Sequence, residues 1–516
     1  MRSRGMFVVV ASAAVVALGG CTAGPSDRPE IVVRDQPAAP QTQAGSPSEV
    51  PVPPLEEPRQ SSLRWAACSE AVLSRLAEPR LPSWLNVGCV RVNSTLDSPY
   101  APGRGNIRLQ LLRAGAGPIP IVVLNDVGGQ PGTIFAARLA ATLPEEFFTK
   151  FSLVGVDRRG TGNSEAPDCV PASVRSGFVG IDPTAVEVDT WFEPAKTAGQ
   201  QCSIELESRM PALDTWRSTA DLEAVRRALA LPRLNAIGHG EGSRVLTVYA
   251  DRFPDKVGRM VLDGVPDSNE DAAAAAEGVA AGAEATWQAF AADCKARSCE
   301  LGADPVSVLP ALITQLRATP ISTEDTDVGV GVALRAVLTG LADRRSWPAL
   351  ATAIDGARRG DGKALADLLI PVVDGTEHQT ATFDSELVIG CNDTKARLTV
   401  AQVTQIAQEW HKKYPMFGAL TAQRLALCGV WPVASRPVPV PEAKGAPPIL
   451  VIGTANDPVT PFAGTERAAG SLSAATLVSW QGGGHGALGL SACATQAALG
   501  FITDARLPND GTTCPP

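Results

Sequence analysis

Three turns, each placed after a short apolar run, constrain this chain more than any other feature. Gly238-His239-Gly240-Glu241-Gly242 follows Leu234 to Ile237 and leads into Val245 to Tyr249, which reads as the start of a helix. Asp457 lies beyond Pro448 to Ile452, inside Asp457-Pro458-Val459-Thr460-Pro461. His485 lies beyond Thr476 to Trp480, inside Gly482-Gly483-Gly484-His485-Gly486. Apolar runs of four to six residues bounded by Gly and Pro read as buried strands of a parallel sheet. A turn, an acid and a histidine at the ends of successive strands place three side-chain positions along one edge of such a sheet.

The order elbow, acid, histidine is that of the α/β-hydrolase fold. In that arrangement the acid holds the imidazole tautomer, and the imidazole faces the residue at the elbow. Further strands are expected at Asn106 to Leu112, Ile119 to Leu124, Leu153 to Val156 and Met260 to Leu262, with a helix at Thr219 to Leu229. Residues 270–430 change character. Alanine-rich stretches at Asp271 to Cys294, Val308 to Arg317, Leu334 to Leu341 and Ala349 to Leu369 read as helices without strand alternation. The expected architecture is an α/β-hydrolase core, a mostly parallel sheet with flanking helices, carrying an inserted helical cap. Its first part is 61–269, the cap or lid is 270–430, and the C-terminal part of the core is 431–516.

The N-terminus addresses the cell envelope. Arg2 and Arg4 precede the short apolar stretch Met6 to Leu18, and Leu18-Gly19-Gly20-Cys21 follows. Small residues before a Cys at that point resemble a bacterial lipobox, so residues 1–20 are expected to be a lipoprotein signal peptide and Cys21 the lipidated residue. Residues 21–60, rich in Pro and poor in large apolar residues, read as a tether. The expected location is the outer face of the cytoplasmic membrane, attached through the N-terminal lipid. Cys21 set aside, ten of the 11 Cys remain. That even number suits disulfides in an oxidising compartment, and pairing each Cys with its neighbour gives 68–89, 169–202, 294–299, 391–428 and 493–514. No Cys-x-x-Cys occurs and there are only four His, at 239, 378, 411 and 485, so neither a metal site nor a cofactor is expected. With 45 Lys+Arg against 54 Asp+Glu, and no basic cluster, no nucleic-acid partner is expected.

The chain resembles the secreted tripeptidyl-aminopeptidase-like proteins of actinobacteria, within the proline-iminopeptidase group of serine hydrolases. The residues that carry the resemblance are Asp157-Arg158-Arg159-Gly160-Thr161-Gly162-Asn163-Ser164, Val261-Leu262-Asp263-Gly264-Val265, Asp457-Pro458-Val459-Thr460-Pro461, Gly484-His485-Gly486 and the Cys493…Cys514 pair. The resemblance implies an acyl nucleophile at the centre of a Gly-x-Ser-x-Gly elbow, with Asp457 and His485 completing the triad. Here the elbow centre is Gly240, so the nucleophile position is vacant. Ser243, three residues on, reads as a packing residue of the following helix, and His239 as a packing or rim residue. Asp157 and Arg158 are expected to buttress the site.

The resemblance also implies an oxyanion loop with Gly-Gly-Pro-Gly after an Asn. This chain has Asn125-Asp126-Val127-Gly128-Gly129-Gln130-Pro131-Gly132. The expected backbone donors are Gly128, Gly129 and Glu241, and the Glu241 carboxylate is expected in solvent. These departures favour a pseudo-hydrolase that binds a peptide or small acyl ligand. The alternatives are a working peptidase or esterase, using water activated by His485 and Asp457 or an unrecognised nucleophile, and a structural envelope protein. Gly is also the low-strain choice at an elbow of positive φ. On this reading Gly240→Ser supplies the one missing group and restores weak esterase activity.

Overall fold

The computed structural model describes residues 50–516, except 60, 186, 268–270, 325, 377–378 and 434–437. The expected signal peptide, Cys21, the tether up to residue 49 and His378 lie outside the described residues. Those that are described belong to one unit spanning 45–516. Eleven strands occur among them: β1 (Val87–Thr95), β2 (Asn106–Ala114), β3 (Ile119–Leu124), β4 (Phe151–Val156), β5 (Leu234–His239), β6 (Val257–Asp263), β7 (Ile321–Ser322), β8 (Asp327–Val328), β9 (Ile449–Asn456), β10 (Ala475–Gly483) and β11 (Thr512–Cys514). Nine form one sheet in the order β1-β2-β4-β3-β5-β6-β9-β10-β11. Pairing is antiparallel from β1 to β4 and parallel from β4 to β11.

Every residue of β3, β4, β5 and β6 is buried. This is why these strands are mostly apolar in sequence: helices cover both faces. Alternate residues serve the two sides. Ile121, Val123, Ile237 and Val261 pack with the helices Gly132–Ala140 and Ala492–Asp504. Val122, Leu124, Ala236 and Leu262 pack with Thr215–Ala228, Glu241–Arg252 and Phe462–Ser471. The elbow helix Glu241–Arg252 lies hard against β3, since a Cβ on Gly242 would stand 2.6 Å from the Leu124 carbonyl. Ser243 is fully buried at this seam.

The helical cap is built from two insertions. The first comprises Ala172–Gly180 and Asp189–Leu206, between β4 and β5. The second runs from Ala272–Ala296 through Val308–Ala318, Val330–Ala342, Trp347–Arg358, Thr382–Asp393, Val400–Lys413 and Gly418–Gly429. Phe178, Trp191 and Phe192 of the first bury against Phe383, Val388, Val403 and Trp410 of the second. The sequence reading placed all cap helices after residue 270. It also took Ala349 to Leu369 as one helical stretch, but that run breaks after Arg358 and restarts as Lys363–Asp367, with Gly360 at positive φ between them. The hairpin β7–β8 interrupts the helices, contrary to the expected absence of strands there.

The ten Cys pair neighbour to neighbour as expected. Cys391–Cys428 joins two cap helices, and Cys493–Cys514 joins the last long helix to β11. Residues 50–59 of the expected tether lie along the domain: Val52 and Leu55 pack on the core, and Glu56 pairs with Arg233 at 3.2 Å. No helix among the described residues is long and apolar enough to cross a membrane.

Candidate active site

Asp457 and His485 stand on the turns that follow β9 and β10, neighbouring parallel strands. Asp457 is fully buried. Its Oδ1 accepts the N–H of Val459 and of Thr460, and its Oδ2 accepts the N–H of Gly486 and the Thr460 hydroxyl. These donors fix the carboxylate in a tight Asx turn. His485 Nδ1 lies 3.1 and 3.0 Å from the two Asp457 oxygens. An acid thus holds one nitrogen of the imidazole and leaves Nε2 facing the elbow.

At the elbow, Gly240 has φ 54° and ψ −124° and precedes the helix Glu241–Arg252. Gly240 takes the positive φ expected of an elbow residue, a conformation glycine adopts without strain, and no side chain stands on it. The space a side chain would take is filled by Asp126, from the turn after β3. An ideal Cβ on Gly240 would lie 2.0 Å from Asp126 Oδ1 and 2.4 Å from both its Cγ and its Oδ2. Asp126 Oδ2 is 2.7 Å from His485 Nε2, and Oδ1 accepts the Glu241 N–H at 2.6 Å. One carboxylate therefore occupies the nucleophile position and one expected oxyanion donor together. Strand register explains it. Leu124 of β3 pairs with Gly238 of β5, and two residues further along each chain are Asp126 and Gly240.

The electrostatics follow from this contact. Burial raises the Asp126 pKa, but the charge and hydrogen bond of His485, with smaller contributions from His239 and the Glu241 N–H, win and hold it down at about 2. Burial likewise opposes the charge on His485, and the flanking Asp457 and Asp126 carboxylates overcome it, keeping the imidazole pKa well above its ordinary value. Both ring nitrogens of His485 thus face carboxylates, Asp457 at Nδ1 and Asp126 at Nε2, an arrangement that favours the protonated ring.

The rest of the oxyanion loop is also rebuilt. The Asn125 side chain donates to the Gln130 carbonyl at 2.7 Å and closes the loop on itself. The Val127 N–H, one residue before the expected Gly128 and Gly129, points to Glu241 Oε2 at 3.4 Å. The Glu241 carboxylate is thus not simply in solvent: it spans from Val127 to within 4.0 Å of the buried Arg158 guanidinium. Glu386, on the cap helix Thr382–Asp393, reaches down to Gly128, where a Cβ would meet its Oε1. Burial raises the Glu386 pKa, opposed by Arg424, which lies 3.2 Å away.

Asp157 is buried and accepts the N–H of Thr133 and of Asn163, each at 2.9 Å. Arg158 donates to Thr215 Oγ1. Both tie the loop after β4 to its neighbours. His239, at the end of β5, stacks on Phe135 with 4.8 Å between ring centroids. It also faces the site: its Nε2 is 3.9 Å from Asp126 Oδ2 and its ring centroid 4.2 Å from that of His485. His411, on the cap helix Val400–Lys413, is exposed. Among the described residues, Asp126, His239 and His485 form the group of ligand-type side chains whose atoms converge within 4.8 Å.

Sequence reasoning missed Asp126 and Glu386. Asp126 stands in a glycine-rich loop, but nothing in that loop records that it meets the elbow, 114 residues on. Glu386 is one of many acids in a helical region.

Two segments match known families, 126–304 the α/β hydrolase fold and 414–514 the TAP-like proteins. The chain has the α/β-hydrolase fold. Its C-terminal part is TAP-like, and its relatives are actinobacterial serine hydrolases and aminopeptidases. Serine protease Hip1 of Mycobacterium tuberculosis is 27% identical, covering 76% of this chain and 80% of that protein. Carboxylesterase B of the same organism is 26% identical over 93% of this chain and 94% of its own length. A tripeptidyl aminopeptidase of Streptomyces lividans is 24% identical over 89% and 87%.

Proposed function

We propose that this α/β-hydrolase has lost serine acyl transfer and binds, without turnover, a peptide or small acyl ligand between core and cap. The observation that supports it is Asp126 in the place of the nucleophile. A carboxylate there offers no hydroxyl to acylate, occupies the Glu241 oxyanion donor and engages His485 Nε2. A water activated by His485 would need the same nitrogen, so that alternative requires Asp126 to leave. Glu241 and Glu386, both at the oxyanion loop, suit a ligand carrying a free amino terminus. The protein would act at the outer face of the cytoplasmic membrane, held by lipid on Cys21, with no nucleic-acid partner.

A fluorophosphonate probe tests the reading. The intact protein is expected to remain unlabelled under conditions that label an ordinary serine hydrolase, and stoichiometric labelling at any residue would sink the proposal. Short peptides with a free N-terminus should bind more tightly than their N-acetylated forms, measured by calorimetry. Cys21→Ser should move the correctly processed protein out of the membrane fraction.

A further inference from the structure

Each of the two histidines at the elbow is held from behind by a buried carboxylate. His485 Nδ1 faces Asp457 at 3.0 Å, and His239 Nδ1 faces Asp263 Oδ2 at 3.4 Å. Asp263 is itself fixed by the N–H groups of Ala487 and Leu488, at 2.8 and 3.1 Å. Both Nε2 atoms turn toward one oxygen, Asp126 Oδ2, at 2.7 and 3.9 Å. A carboxylate on Nδ1 fixes the tautomer that leaves Nε2 as a lone-pair donor, and it raises the basicity of the ring. This is the outer arrangement of a histidine that ligates a metal. A structural catalytic dyad needs one such histidine. Here there are two, and they share an anionic third ligand.

We infer that Asp126, His239 and His485 form a binding site for a divalent transition-metal ion of the zinc class. A set of two imidazoles and one carboxylate suits Zn²⁺, which takes nitrogen and oxygen ligands at about 2.0–2.2 Å. Tetrahedral ligand atoms at those distances stand roughly 3.3–3.6 Å apart. The two distances to Asp126 Oδ2, 2.7 and 3.9 Å, bracket this range. The three ligand atoms lie within 4.8 Å of one another, so loading the ion draws the two rings together as well as shifting Oδ2 toward His239.

Three carboxylates, those of Asp126, Asp263 and Asp457, lie against the two rings, a setting that suits a cation. The empty side of Gly240 matters as well. A serine there would put its Cβ into the Asp126 carboxylate, so the elbow can host this third ligand only when position 240 has no side chain. Three protein ligands leave a position open for an exogenous oxygen donor, such as the carboxylate or carbonyl of a ligand entering under the cap.

The experiment is metal binding to the full-length protein after treatment with a chelator, read by calorimetry with Zn²⁺ and by visible absorption with Co²⁺. One equivalent should bind, with d–d bands of a low-coordinate site. His239→Gln and Asp126→Asn should each lower affinity at least tenfold. Asp263→Asn, which alters the group behind His239 without touching the ion, should lower it about 10–100-fold. Circular dichroism and melting curves keep misfolding apart from lost ligation. X-ray absorption of the zinc-loaded protein should show two imidazole shells, a readout that needs no variant. Absence of saturable binding by either ion, or binding unchanged in His239→Gln, overturns the inference. Phosphonate labelling is a separate measurement, so the two proposals fail independently.

Discussion

The site has two halves with different histories of constraint. On the β9–β10 side, Asp457 and His485 keep the contacts of a hydrolase dyad, and Asp457 is locked by four donors besides the imidazole. On the β3–β5 side, the nucleophile, the oxyanion donor and the loop before it are all reorganised around Asp126. The first half is woven into the turn structure, so replacing it removes several buried hydrogen bonds at once. The second half consists of single side chains on turns, which can be exchanged without disturbing the strands that bear them. The departures from the expected triad fall where exchanging a side chain costs the fold least.

The largest test of this contrast restores the exchanged half. Gly240→Ser alone, expected from sequence to revive weak esterase activity, should remain inert, because its Cβ falls on the Asp126 carboxylate. Combined with Asp126→Ala, it should free the Glu241 N–H and His485 Nε2. Phosphonate labelling should then rise from none to about one per chain. Adding His485→Ala should remove the general base and slow labelling by about 10²–10⁴-fold. A single Gly240→Ser that labels as well as the pair would show that Asp126 does not block the site.

Next in size is the cost of breaking each half. Asp457→Asn leaves buried N–H donors and an imidazole poorly matched, and should lower unfolding stability by about 3–5 kcal/mol in urea titrations. Asp126→Asn, on a partly exposed loop and keeping one acceptor for the Glu241 N–H, should cost about 1 kcal/mol. Equal costs would end the claim that the halves differ structurally.

The cap helix over the rebuilt half supplies a pH test. Asp393, at the end of Thr382–Asp393, accepts the Thr215 N–H at 2.9 Å. Burial, then the nearby Asp214 charge, pushes its pKa up to about 6. An unfolded Asp titrates near 3.9, so the native state retains the proton more tightly. The stability this contributes is full below about pH 4, is lost as pH rises toward 6, and is absent above that. Asp393→Asn should flatten the melting temperature over that window, measured against the parent. The smallest effect is expected at the rim. Glu241→Gln gives up only a 4.0 Å approach to Arg158 from a side chain 38% exposed, and should change stability by less than about 1 kcal/mol.

The sequence by itself determined the central sheet, because strands buried on both faces are mostly apolar, and β3, β5, β6 and β9 read directly from that pattern, as does the buried middle of β10. It determined the order of the turns and the absence of a side chain at Gly240; neighbour pairing of the ten cysteines was one connectivity among many, and the structure decided for it. It left the first cap insertion unseen, because Ala172–Gly180 and Asp189–Leu206 bury their apolar faces against helices some 200 residues away. Tertiary structure alone decided what fills the elbow. Asp126 and Gly240 are 114 residues apart, and nothing local to either records that β3 and β5 are neighbours or that Leu124 pairs with Gly238. Register between strands is set by packing of the whole sheet, and it is register that delivers one carboxylate to the space another residue vacated.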